Sequence, residues 1–256
     1  QPPVLVITSV LANAFPENLS PFAKFVDLAK IELVRLDARD KGAMFSLMKQ
    51  EIDVVIDVLP VEFVRTVAES AIESGVNLVN TNYGYEIRPF HLRAVERGIA
   101  MMPECGLDPG IDLVIYGHAV KQFDEIHVLN SYCGGIPEKK ACTNPLNYKI
   151  SWNWDMGLRS QKRETVAIKD GKRVVISGAD QHDNELIHEI DFPGLGRLEA
   201  MPNGNAVFFT DLLGVTQTIK ETGRYSLRWP RSEEHTAELQ SRPHSKNPVF
   251  CLKSEG

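Results

Sequence analysis

The sequence predicts an α/β protein: a doubly wound parallel, Rossmann-like sheet, incomplete on its N-terminal side, followed by a second α+β domain. Two observations carry that expectation. Between Ile31 and Met102, β-rich runs alternate strictly with amphipathic helical stretches, and such alternation lays helices over both faces of a parallel sheet. Beyond about residue 113 the pattern turns to strands, a hairpin signal and isolated helices.

Ile31 to Leu36 is β-rich and leads into a helical segment around Met44 to Lys49. Val54-Val55-Ile56 suits a buried strand, Pro60 stops it, and Phe63, Val64, Val67, Ala68 and Ala71 recur at helical spacing up to Gly75. Val76 to Val79 is a third strand, followed by a helix near Leu92 to Glu96 that ends at Gly98; Ile99 to Met102 is the next strand. In the second domain, Ile126 to Leu129 is strand-like, Pro145 to Leu158 helical, and Thr165–Ile168 with Lys172–Ile176 forms a hairpin around Asp170-Gly171. Strands are expected at Gly196 to Ala200 and Arg224 to Trp229, with a helix around Ala206 to Leu213. The expected domains are 1–112 and 113–230. Residues 231–256 are read as a non-native or disordered tail, because the segment from Arg231 is polar, lacks an apolar stripe and resembles the translation of a DNA-sequencing adapter.

The chain has 256 residues, 43% of them hydrophobic, and a formal charge of -6 from 28 basic and 34 acidic residues mixed along its length. That balance argues for a small-molecule partner and against nucleic acid or anionic lipid. No apolar run reaches the roughly 20 residues that span a bilayer, and the start lacks a signal-peptide pattern, so a cytoplasmic location is expected. Cys105, Cys133, Cys142 and Cys251 show neither CxxC spacing nor disulfide-scaffold density. His182 and His188, with Asp183 and Glu185, are read as a polar surface loop; no metal site is expected.

The sharpest signal is Glu104-Cys105-Gly106-Leu107-Asp108-Pro109-Gly110-Ile111-Asp112, directly after a parallel strand. Ligands bind off the carboxyl ends of such strands, where this loop offers a backbone edge and a carboxylate. A tight turn with Asp108 or Asp112 capping the next helix is the competing reading. By contrast, no GxGxxG turn follows Val4 to Ile7, and the next glycine is Gly42. The usual phosphate cradle is missing or unrecognisable.

Three further motifs, Ser131 to Pro137, Asn144 to Trp152 and Tyr225 to Trp229, follow that loop. In this order and spacing the four resemble the saccharopine dehydrogenase family, of the glutamate-forming kind, over about residues 31 to 230. The resemblance implies an NADP-dependent oxidoreductase, NAD being the other choice, that forms or splits saccharopine in lysine metabolism and is a homodimer when full length. It also implies site residues. Asp37, Ala38, Leu59, Thr81, Asn82, Leu107, Asp108, Pro109 and Asn153 match cofactor contacts. Asn82, Tyr83, Asp108, Ser226, Leu227 and Arg228 match substrate contacts, and Asp108, Tyr83 and Cys133 are candidates for catalysis.

That chemistry needs proton transfers while an amine and an aldehyde condense, then a hydride delivered to the imine carbon. Cations must also hold the carboxylates, a task suited to Arg228. Plainer readings stand beside these: Asp37 as a helix cap, Cys133 as a small filler, Tyr83 as a packed aromatic, Arg228 as a surface ion-pair partner. Lys149 and Trp152 are read as structural. One departure concerns the substrate, since Gly204 stands where the family pattern has an arginine; either one acidic group is absent or another residue such as Arg197 takes over. A lysine 6-dehydrogenase, a carboxynorspermidine synthase or an inactive fragment are the alternatives. For a fragment, a truncated second sheet leaves an unpaired edge strand near Tyr225 to Trp229.

Overall fold

The computed structural model describes residues 9–18, 25, 27, 30–143, 149, 157, 159, 160 and 162–230. Asn153, the Asn144 to Trp152 motif apart from Lys149, most of the helix expected over 145–158, and residues 231–256 lie outside them. The chain divides into two compact units, Gln1–Val114 and Ile115–Gly256.

In the first unit every described strand pairing is parallel. Strand β1 (Ser9–Asn13) pairs with β2 (Ile31–Arg35), and β3 (Val54–Asp57), β4 (Asn77–Asn80) and β5 (Met101–Met102) form a second sheet in that order. Helix α1 (Lys41–Met48) starts where Asp40 accepts a hydrogen bond from the Ala43 amide at 2.9 Å, which satisfies one of the orphan donors of a helix start. Helices α2 (Val64–Ser74) and α3 (His91–Arg97) both end on a left-handed glycine, Gly75 and Gly98, as their sequence predicts.

Met44 and Met48 of α1, Val64, Val67, Ala68, Ala71 and Ile72 of α2, and Leu78 of β4 form the core. Leu78 is 1% exposed, and burial of such a side chain stabilises by about 1.5–3 kcal/mol. Strand parity sends Val55 toward this core and leaves Val54 and Ile56 exposed at 46% and 68%.

Helix α4 (Ile111–Ala119) spans the division between the units. The second unit is built on a six-stranded sheet of β6 (Val128–Cys133), β7 (Thr165–Lys169), β8 (Lys172–Ile176), β9 (His188–Phe192), β10 (Gly196–Pro202) and β11 (Glu221–Arg228). The β7–β8 hairpin turns at Asp170 and Gly171, both at positive φ, 50° and 72°, as expected for a two-residue turn.

Strand β11 overturns one expectation. It runs parallel to β6 on one side and antiparallel to β10 and β7 on the other, so Tyr225 and Ser226 are paired on both sides, and Leu227 and Arg228 pair with β10 rather than forming an unpaired edge. The strand was legible in the sequence, but its neighbours come from segments far apart in the chain. Strand β9 overturns another, for His188 belongs to it and not to a surface loop. Polar spacing hid a strand whose His188 and Ile190 face one side of the sheet, Ile190 against the core. Helix α5 (Ala206–Leu212) packs on β7 and β11.

No helix among the described residues is long and apolar enough to cross a membrane, and no group of three or more His, Cys, Asp or Glu among them is placed to hold a metal ion.

Candidate functional site

Three loops leave the carboxyl ends of β3, β4 and β5 and are laced together by hydrogen bonds. The amides of Glu104 and Cys105 donate to the carbonyls of Asn82 and Asn80, each at 3.0 Å, which ties the loop after β5 to that after β4. Glu104 Oε1 accepts from the Gly84 amide at 3.0 Å. The Thr81 amide reaches the Asp57 carbonyl at 3.3 Å, and Asn82 Nδ2 donates to the Leu59 carbonyl at 3.2 Å. Leu59, Thr81, Asn82, Tyr83, Leu107, Asp108 and Pro109 are thus gathered at one edge of a parallel sheet, where open α/β sheets bind their ligands.

Within this edge the Tyr83 hydroxyl donates to Asp108 Oδ1 at 3.0 Å. The Tyr83 ring also stacks on Tyr85, centroids 5.5 Å apart and planes 11° from parallel. Tyr83 is therefore both a packed aromatic and a proton donor aimed at a carboxylate. The Asp108 loop is held from inside: Gly106 N donates to the Pro109 carbonyl and Ile111 N to the Gly106 carbonyl, both at 3.0 Å. Gly110 has φ 150°, and a Cβ there would fall 2.6 Å from the Gly106 nitrogen, so only glycine fits. Asp112 accepts the Gly110 amide at 2.8 Å. That gives Asp112 the local turn role and leaves Asp108 to face Tyr83.

Two residues at this edge carry no family motif. Asp57 and Asn80, 3% and 0% exposed, lie opposite each other in the register of β3 and β4. Asn80 Nδ2 donates to Asp57 Oδ2 at 2.6 Å, the Leu59 amide to Asp57 Oδ1 at 2.9 Å, and the Asn82 amide to Asn80 Oδ1 at 2.6 Å. Burial pushes the Asp57 carboxyl above the ordinary range, while the bonds from Leu59 and Asn80 pull the other way. Strand parity was the missed signal: Asp57 follows Val55 on the inward face of an apolar run, and Asn80 follows Leu78.

Asp37 sits past the end of β2 with its carboxylate taking the Arg39 amide and Nε, each at 3.0 Å. These bonds hold it below the usual carboxylate range. It does not cap α1, which Asp40 does. Ala38 packs on the core that also receives Leu59.

The remaining candidates belong to the second unit. Cys133 ends β6 in register with Ser226 of β11, so strand parity puts Ser226 and Arg228 on the face of Cys133 and sends Leu227 to the other. Leu227 is 5% exposed within a core with Leu198, Ala200 and Trp229 and pairs with Ala200 of β10, so its side chain packs and does not face a ligand. Arg228 Nη1 donates to the Leu227 carbonyl at 2.7 Å. Arg197 makes an exposed ion pair with Glu189 at 3.3 Å. Gly204, in a left-handed turn with φ 71°, has nothing within 4 Å of where a Cβ would stand.

On the Leu227 face, the Tyr132 hydroxyl meets His188 Nε2 at 3.0 Å, and Tyr132 stacks on Tyr225 with centroids 5.1 Å apart. Burial pushes the Tyr225 phenol up to about 12 and raises that of Tyr132. This cluster draws on three strands, and no single segment announced it.

Residues 8–102 match the model of the saccharopine dehydrogenase NADP binding domain, and residues 106–241, more than half of the chain, match the saccharopine dehydrogenase C-terminal domain. The chain belongs to the saccharopine dehydrogenase family. Among curated members of that family it is 33% identical over 203 residues to the NADP(+), L-glutamate-forming saccharopine dehydrogenase of Saccharomyces cerevisiae, covering 75% of this chain and 44% of the relative. It is 30% identical over 210 residues to the alpha-aminoadipic semialdehyde synthase of Arabidopsis thaliana, covering 79% of this chain and 19% of that protein. The chain thus spans less than half the length of either relative. A solved structure of apo saccharopine dehydrogenase (L-Glu forming) from Saccharomyces cerevisiae superposes with a TM-score of 0.76 at 27% identity, covering 90% of this chain and 52% of that one.

Proposed function

We propose that this saccharopine dehydrogenase family chain belongs to an NADP-dependent oxidoreductase that forms or splits saccharopine, with glutamate and aminoadipate semialdehyde as the two halves. The observation that carries the reading is the Tyr83–Asp108 pair, hydrogen-bonded at 3.0 Å on the strand-end loops that open from the region matched by the NADP binding model.

The strand ends suit the nicotinamide half of the nucleotide. Leu59 and Leu107 offer apolar surface at these strand ends, Leu107 at 56% exposure. NADPH, when bound, supplies the hydride. Asp108 then acts as the proton acceptor for the substrate amine, and Tyr83 sets its position and returns a proton to the leaving oxygen. Ser226 and Arg228 hold a substrate carboxylate, Arg228 through a forked guanidinium, and Cys133 lies beside Ser226.

A second reading keeps the family and changes the substrate. Gly204 offers no side chain where the family pattern has an arginine, which favours a substrate with one acidic group fewer. The cytoplasmic location and homodimer expected from sequence belong to this proposal as well.

The test is fluorescence titration of the chain with NADPH and NADH, then turnover with saccharopine, lysine and carboxynorspermidine. Tighter binding of NADPH and turnover of saccharopine support the first reading. Turnover of another amine alone selects the second, and no nucleotide binding removes both.

A further inference from the structure

We infer that Asp57 is a positioning residue: with Asn80 it closes a hydrogen-bonded ring that sets the spacing of Leu59 and Asn82, and nucleotide affinity depends on that ring. The inference rests on the cofactor reading above.

The ring has four members. Leu59 N donates to Asp57 Oδ1 at 2.9 Å, Asn80 Nδ2 to Asp57 Oδ2 at 2.6 Å, Asn82 N to Asn80 Oδ1 at 2.6 Å, and Asn82 Nδ2 to the Leu59 carbonyl at 3.2 Å. Its polarity is dictated. The Asn82 amide can only donate, so Asn80 must turn its oxygen toward Asn82 and its nitrogen toward β3. Position 57 must then accept twice, from Asn80 and from the Leu59 amide, once on each carboxyl oxygen, which a side-chain amide with one oxygen and one nitrogen does not do.

Strand pairing alone does not require such a pair: the register that aligns Asp57 with Asn80 aligns the apolar Val55 with Leu78 one step back. What the polar pair adds is geometry. It joins the loop carrying Leu59 to the loop carrying Thr81, Asn82 and Tyr83 at the base of both, behind the surface offered to the nucleotide. Both side chains are buried, so they act through Leu59 and Asn82 and not by touching a ligand.

The polarity argument supplies its own test. In Asp57→Asn, two amide nitrogens meet, or Asn80 flips and its nitrogen meets the Asn82 amide; either way one bond is lost. In Asn80→Asp, two carboxylates meet. The double variant, Asp57→Asn with Asn80→Asp, restores every donor to an acceptor with the central bond reversed.

Amide hydrogen exchange and NADPH fluorescence titration would be measured on the full chain and the three variants. Each single variant is expected to lose exchange protection at Leu59 and Asn82 and to bind NADPH about tenfold more weakly, the effect of one lost hydrogen bond. The double variant is expected to recover both. Lost protection with NADPH affinity unchanged would overturn the positioning role, as would full protection in the single variants or no recovery in the double. Failure of the unmodified chain to bind NADPH would remove the cofactor reading and the positioning role together, and the exchange pattern would still report whether the ring exists.

Discussion

Tyr83 and Asp108, 25 positions apart in sequence, meet through a 3.0 Å hydrogen bond because the loops after β4 and β5 are tied to each other at Asn80, Asn82, Glu104 and Cys105. In the intact enzyme, Asp108→Ala is expected to lower turnover by about a hundred- to ten-thousandfold, while Tyr83→Phe costs less because the carboxylate remains. Steady-state rates, with circular dichroism as a control for folding, check both. Near wild-type turnover for Asp108→Ala would end its assignment.

Asp57 is expected to shape the dependence of stability on pH. Its carboxyl is raised by burial, so the folded chain holds this proton more tightly than the unfolded one. Its contribution is full below the ordinary aspartate range and is lost as pH rises through that range toward the raised value. Denaturant midpoints between pH 3 and 7 are expected to fall less with pH in Asp57→Asn than in the parent. Equal slopes would show that the carboxyl is not perturbed.

The same rule applies to Tyr225 at the alkaline end. With its phenol pushed up to about 12, the folded protein keeps the proton after an unfolded tyrosine has lost it. The associated stability is lost between the ordinary tyrosine value and about 12. Ultraviolet titration of phenolate is expected to show a late component that Tyr225→Phe removes. A titration unchanged by that substitution would refute the shift.

Gly110 and Gly117 are expected to respond to alanine in opposite directions. Gly110→Ala places a Cβ against the Gly106 backbone at φ 150° and is expected to destabilise by at least about 2 kcal/mol. Gly117, inside α4 with open space around it, is expected to gain about 0.5–1 kcal/mol on substitution by alanine. Thermal denaturation of the two variants distinguishes them, and a neutral Gly110→Ala would mean that the loop is looser than its hydrogen bonds imply.

Local rules made much of the protein legible. Short apolar runs marked β3 and β4, helical spacing marked α2, and Gly75 and Gly98 marked two helix ends, because each signal lies within a few neighbouring residues. The Asp170-Gly171 turn was readable for the same reason. The motif loop from Glu104 to Asp112 was visible too, although whether Asp108 or Asp112 served as the local cap was not. Gly110 donates to Asp112 at 2.8 Å and Tyr83 to Asp108 at 3.0 Å, so the two carboxylates have different tasks.

Other features needed partners from elsewhere in the chain. His188 read as part of a polar loop because its strand is mostly polar; its meaning comes from Tyr132 of β6 and Tyr225 of β11. A truncated sheet pointed to an unpaired edge near Tyr225 to Trp229, whereas β11 pairs with β6 on one side and β10 on the other. Fold class and the chemistry-bearing loop follow from short-range pattern, since period, turns and capping act over a few residues. The Asp57–Asn80 ring, the central place of β11 and the pairing of Tyr83 with Asp108 arise only when distant segments are brought into register, because a hydrogen bond between them carries no local trace in the chain.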